Sequence, residues 1–90
     1  MGYRIEYLEE VFFQLLKIPK NIRNAIIKAI DERLTADPHR FKPLAHNVKG
    51  FYRMRVGDYR VIYRIRNKEV EVLIVKIDSR GKVYDYTTSQ

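Results

Sequence analysis

The chain has 90 residues, 46% hydrophobic and 12% aromatic, and carries 18 Lys/Arg against 11 Asp/Glu for a formal net charge of +7 at pH 7. This supports one packed domain over residues 1–90 rather than a disordered chain, and the absence of cysteine excludes disulfides, thiolate zinc sites and cysteine nucleophiles. No apolar run approaches the ~18 residues of a membrane span and no basic-then-apolar leader opens the chain, so a cytoplasmic protein with a polyanionic partner is expected.

Tyr3, Ile5 and Tyr7 alternate with Arg4 and Glu6, the period of a half-buried strand. A helix is predicted over 8–17. Glu9 and Glu10 suit the positive end of its dipole, and Val11, Phe12, Leu15 and Leu16 form its apolar stripe. Pro19 interrupts this helix and is placed to open a second one over 20–36. There Ile22, Ala25, Ile26, Ala29, Ile30 and Leu34 recur at helical spacing until Asp37-Pro38 stops the pattern. Phe13 and Ile27 fall off the two stripes and are assigned to the seam between the helices in preference to a partner surface. Residues 39–50 read as a loop broken by Pro43 and Gly50, with His39 and His46 as ordinary loop histidines. Strands over 51–56, 59–66 and 69–77 follow, joined by Gly57-Asp58 and Asn67-Lys68, and a short strand around 83–86 closes the chain. The expected fold is α+β in the order β-α-α-β-β-β, an antiparallel sheet with a helical hairpin on one face.

A two-residue turn at Gly57-Asp58 fixes the hairpin register. Arg55 then faces Arg60, Arg53 faces Ile62, and Tyr52 faces Tyr63. One face carries Tyr52, Met54, Val56, Tyr59, Val61 and Tyr63 for the helices to cover, and the other carries Arg53, Arg55 and Arg60. The same arithmetic at Asn67-Lys68 pairs Arg66 with Glu69 and Arg64 with Glu71, and sets Leu73, Val75 and Ile77 on the arginine side. Arg64 and Arg66 thereby gain carboxylate partners, whereas Arg55 opposite Arg60 is a destabilising like-charge pair. Either a distant acid, Asp78 or Asp85, or a bound anion must compensate. Phosphate is the anion that guanidinium forks match in bidentate geometry. Tyr84 and Tyr86 are placed to edge this groove, an arrangement suited to stacking on single-stranded nucleic acid.

The chain has no phosphate-binding glycine loop, no HExxH and no Gly-x-Ser-x-Gly. Its carboxylates are scattered, and no metal or cofactor is expected. Any enzyme here works with Arg, Lys and Tyr. RNA cleavage accommodates that restriction, because RNA carries its own nucleophile, the 2′-OH beside the scissile phosphate, and cations can stabilise the developing charge.

The run Gly50-Phe51-Tyr52-Arg53-Met54-Arg55-Val56-Gly57-Asp58-Tyr59-Arg60-Val61-Ile62-Tyr63 resembles the hairpin of the RelE/ParE toxin superfamily of prokaryotic toxin–antitoxin modules. Arg80 followed by Val83-Tyr84 is similar to that family's C-terminal segment, with Ser79 where histidine is common. Asp37-Pro38 ahead of a loop containing Leu44 also fits. Resemblance to the RelE branch implies an endoribonuclease that cuts mRNA in the ribosomal A site. It implies that Arg60 contacts the scissile phosphate, that Arg80 is a second functional arginine, that Arg53 and Arg55 occupy basic positions on the preceding strand, and that Tyr84 stacks on substrate or assists proton transfer. Some members have lysine at the latter two basic positions. Arginine essentially never gives up its proton, so either Tyr84, Tyr86 or Lys49 serves as the base or transition-state stabilisation dominates. Lys49 and Tyr86 are further candidates for RNA contact. The implied partners are the ribosome with its mRNA and an acidic RelB-type antitoxin, whose complex with the toxin binds operator DNA. The ParE branch shares the fold but inhibits DNA gyrase without nuclease activity, and is the rival reading.

Overall fold

The computed structural model describes residues 2–44 and 50–79. The elements are β1 (Arg4–Tyr7), α1 (Glu9–Leu16), α2 (Lys20–Ala29) running on as a π-helical turn (Ile30–Leu34), a 3₁₀ turn (Pro38–Arg40), β2 (Lys42–Pro43), β3 (Phe51–Val56), β4 (Tyr59–Arg66) and β5 (Glu71–Ser79). They build one five-stranded sheet in the order β1-β5-β4-β3-β2. Two features depart from the expected sheet: β1 pairs with β5 in parallel, and the short β2 extends the sheet beyond β3. β1 and β2 occupy opposite edges, so the helices between them carry the chain across one face and cover it. The strand expected over 83–86 lies outside the described residues.

Burial sorts the two helices. Val11 and Leu15, four residues apart, face the sheet and are buried, as are Ile26, Ala29, Ile30 and Leu34. Ile27 is partly buried against the same core. The rest of the predicted α1 stripe points outward, with Phe12 53% and Leu16 68% exposed, and so does Phe13 beside it, 62% exposed. Phe13 is therefore not in the helix–helix seam. With only eight residues, α1 buries one narrow line of side chains, and its second apolar line meets solvent.

The β3–β4 hairpin has the expected register, with Val56 opposite Tyr59 and Arg55 opposite Arg60. Gly57 takes φ +60, the left-handed conformation that the first central position of a tight hairpin turn requires. The β4–β5 turn differs from expectation. It spans four residues, 67–70, so Arg66 faces Glu71 and Arg64 faces Leu73. Val70 adopts φ +51 there, a conformation costing a β-branched residue on the order of 1–2 kcal/mol. Its N–H donates to the Asn67 carbonyl at 3.2 Å and its carbonyl accepts the Arg4 N–H at 2.9 Å, which ties the turn to the first residue of β1.

Between Ile62 and Tyr63 the register slips by one residue: Tyr63 faces Ile74 but Ile62 faces Lys76, leaving Val75 as the extra residue of a β-bulge. Beyond the bulge every side chain of β5 changes face. Ile77 thus joins the helix-side core instead of the arginine side, while Lys76 and Asp78 move to the arginine side. Without the bulge, a lysine and an aspartate would be turned into the apolar core, at a heavy desolvation cost. Tyr63, fully buried at the centre of the sheet, stacks on Tyr52 at 5.8 Å and donates its hydroxyl to the Pro38 carbonyl at 2.7 Å.

Candidate functional site

The face of the sheet away from the helices carries the charge, and the charge divides into two ends. At one end Glu71, only 7% exposed, accepts from Arg4 Nη2 at 3.0 Å and lies 3.3 Å from Arg66 Nη1, while Arg4 also reaches Glu6 at 3.6 Å. This end is self-neutralised. The expected partner of Arg66, Glu69, is replaced by Glu71, two residues further on. Arg64 loses its expected carboxylate and lies 5.7 Å from the centre of the Phe51 ring, its cross-strand neighbour.

The other end is cationic. β3 places Arg53 and Arg55 on one side of its pleat, and β4 brings Arg60 directly opposite Arg55. Arg55 is exposed, with Nε donating to the Gly57 carbonyl at 3.3 Å. Arg53 is half-buried and sits between Lys42 of β2 and Ile62 of β4. Among the described residues, no acid forms an ion pair with Arg53 or Arg55. Ile62 is buried although it belongs to the open face. Its lateral neighbours are Arg53 and Lys76, whose alkyl stems can shield it while their charged heads stay in water.

Arg60 stands differently from expectation, because the bulge makes Asp78 its cross-strand partner. The expectation of three arginines without a built-in acid therefore applies to Arg53 and Arg55 only. The Asp78 carboxylate accepts the Ser79 N–H through Oδ1 at 2.8 Å, and its Oδ2 lies 3.8 Å from Lys76 Nζ. Beside this pair, a cleft of about 380 Å³ opens between the end of β5 and α1, with Lys17, Tyr59 and Gln14 in its wall. Gln14 Oε1 accepts the Ile77 N–H at 2.8 Å, holding α1 to β5 beyond the last β1 pairing.

The structure thus brings Arg53, Arg55 and Arg60 onto one surface. Lys49, Arg80, Tyr84, Tyr86 and His46 lie outside the described residues. His39 is a packing residue: its Nε2 is 3.1 Å from Asn67 Oδ1, and its ring lies edge-on to Tyr3 and Tyr52. Lys76 escaped the sequence reading because strict alternation assigns it to the buried face. The signal was present in that misfit: a lysine and an aspartate at alternate positions of a strand whose same-face neighbours are Val72 and Ile74 mark a bulge.

The family of ParE toxins of type II toxin–antitoxin systems (parDE) matches residues 5–84 of the chain. Toxin RelG of Mycobacterium tuberculosis is 31% identical over 85 residues, which are 93% of this chain and 98% of the relative. Toxin RelE of the same organism is 35% identical over 71 residues, 78% of this chain and 73% of the relative. The crystal structure of the toxin–antitoxin complex RelBE2, also from Mycobacterium tuberculosis, contains a chain that superposes with a TM-score of 0.82 at 29% identity, covering 90% of this chain and 94% of its own.

Proposed function

Since the chain belongs to the RelE/ParE superfamily of type II toxin–antitoxin toxins, we propose that it is the RelE-type toxin of its module, a ribosome-dependent endoribonuclease that cuts mRNA in the A site. The observation that carries this reading is the cross-strand pair Arg55–Arg60 with Arg53 on the same face. Asp78 offsets only part of this charge, and three guanidinium groups on rigid strands suit a phosphodiester. The RNA 2′-oxygen attacks the scissile phosphorus, and Arg60 with Arg55 stabilises the charge that builds on the non-bridging oxygens. Arg80 supplies a second cation and Tyr84 stacks on the substrate, while Arg53, Lys49 and Tyr86 hold flanking nucleotides. No metal or cofactor takes part in this scheme.

The toxin is held inactive by an acidic RelB-type antitoxin, a reading supported by the similarity to a chain solved as part of a toxin–antitoxin complex. Its partly disordered chain folds on binding, and the outward ridge of α1 (Phe12, Phe13 and Leu16) is its apolar dock. The pair then binds operator DNA. No helix among the described residues is long and apolar enough to cross a membrane, in keeping with action at cytoplasmic ribosomes.

Gyrase inhibition is the second reading, favoured by the matching family's ParE description. One induction experiment separates the two. Arg60→Ala lowers mRNA cleavage by roughly 10²–10³-fold, the usual cost of one charge-stabilising donor, and Arg60→Ala with Arg80→Ala abolishes growth arrest. A fully toxic double variant overturns the catalytic assignment. Intact mRNA with blocked DNA supercoiling selects the gyrase inhibitor.

A further inference from the structure

We propose that Lys76 and Asp78 are the proton-transfer pair of the arginine face, an inference that rests on the endoribonuclease reading above. Three observations converge on them. First, the bulge at Val75 is what puts both on this face, and it does so at the strand position beside Arg60. Second, the arginines gathered there bind charge but cannot exchange a proton. Lysine and aspartate can. Third, the two groups are held together in a half-buried setting: Nζ and Oδ2 are 3.8 Å apart, and the side chains are 22% and 24% exposed. The Ser79 N–H occupies the other carboxylate oxygen and so fixes the orientation of Asp78. Among the described residues, Arg60 of β4 and Lys76 of β5 stand beside Asp78, and Lys17 and Gln14 of α1 line the same cleft.

The proton balance closes within the pair. Asp78 takes the proton of the 2′-OH as the 2′-oxygen bonds to phosphorus. The bond from phosphorus to the 5′-oxygen breaks, and that oxygen takes a proton from the Lys76 ammonium. The products are a 2′,3′-cyclic phosphate and a free 5′-OH. The proton on Asp78 then passes to the Lys76 amine, and both groups return to their starting charges without an outside base.

The test is single-turnover cleavage of mRNA in programmed ribosomes across a pH range, for the wild type, Asp78→Asn and Lys76→Arg. Both substitutions keep size and hydrogen bonding, and Asn still accepts the Ser79 N–H. A parallel binding measurement uses the same message with a 2′-deoxy nucleotide at the cut. Each variant should cleave 10²- to 10⁴-fold more slowly, the usual span for a lost acid or base, with binding unchanged. Asp78→Asn should change the pH dependence of the rate. The double variant should be no slower than the slower single one, since the two act as a unit. A Lys76→Arg protein that cleaves at the wild-type rate overturns the proposal, because charge alone then suffices. Loss of binding to the deoxy message in step with cleavage also overturns it. If the wild type itself leaves mRNA whole, the endoribonuclease reading falls and the pair falls with it, an outcome distinct from the others because there the wild type cuts.

Discussion

Tyr63 ties the middle of the sheet to the loop before β2. Its ring is fully buried and its hydroxyl donates to the Pro38 carbonyl. Burial, then the neighbouring Tyr52 phenol and Asp37, push its pKa well above the ordinary tyrosine value of 10.0. Tyr7 is pushed up to about 12, first by burial and then by Asp31. In both cases the folded chain holds the phenolic proton more tightly than the unfolded chain. This contribution is complete below the ordinary pKa of 10.0 and is lost as pH rises toward 12. Thermal melting should therefore hold steady to about pH 10 and fall steeply above it. Tyr63→Phe should cost about 1–2 kcal/mol at neutral pH, by stranding a buried carbonyl, and should shrink the alkaline loss. A melting curve unchanged at pH 11 would show that the phenols are free to ionise in place. None of this was readable in sequence beyond the placement of Tyr63 in the core, because the hydrogen bond joins residues 25 apart.

Among the elements, α1 separates what periodicity can and cannot say. The 3.6-residue spacing located the helix, but Val11/Leu15 and Phe12/Leu16 are neighbouring lines on one short cylinder. Only the position of the sheet selects the first pair. The second is left as a ridge with Phe13 beside it, too large a set of exposed side chains to be scattered surface noise. Phe13→Asp should leave the melting temperature nearly unchanged, since an exposed site contributes within ~0.5 kcal/mol. It should raise the Kd for the antitoxin at least about tenfold, as expected of a central aromatic anchor. Titration of the variant with antitoxin and a thermal melt together check this. Wild-type affinity would move the dock elsewhere, with the cationic face as the next place to look.

Across the whole molecule, charge is segregated rather than spread. One end of the open face closes on itself through Glu71, Arg4 and Arg66, and the other gathers Lys42, Arg53, Arg55, Arg60 and Lys76 around Asp78. RNA affinity should accordingly fall steeply with salt, losing ~0.7 in logarithmic slope for each phosphate neutralised on a single strand. The combined variant Arg53→Gln and Arg55→Gln should reduce that slope by about 1.4 if each arginine engages one phosphate. A slope that stays put would place the RNA off this face.

The alternation of β3 and β4, the hairpin at Gly57-Asp58 and the grouping of Arg53, Arg55 and Arg60 were all legible from the residues alone, because strand period and two-residue turns are local properties. The pairing of β4 with β5 was not local. It depends on a four-residue turn that holds Val70 in a left-handed conformation bonded to β1, and on an extra residue at Val75 that turns Ile77 into the helix-side core. Both are stabilised by contacts far along the chain, so they decided, where spacing could not, that Asp78 stands opposite Arg60 and that Lys76 joins the same face.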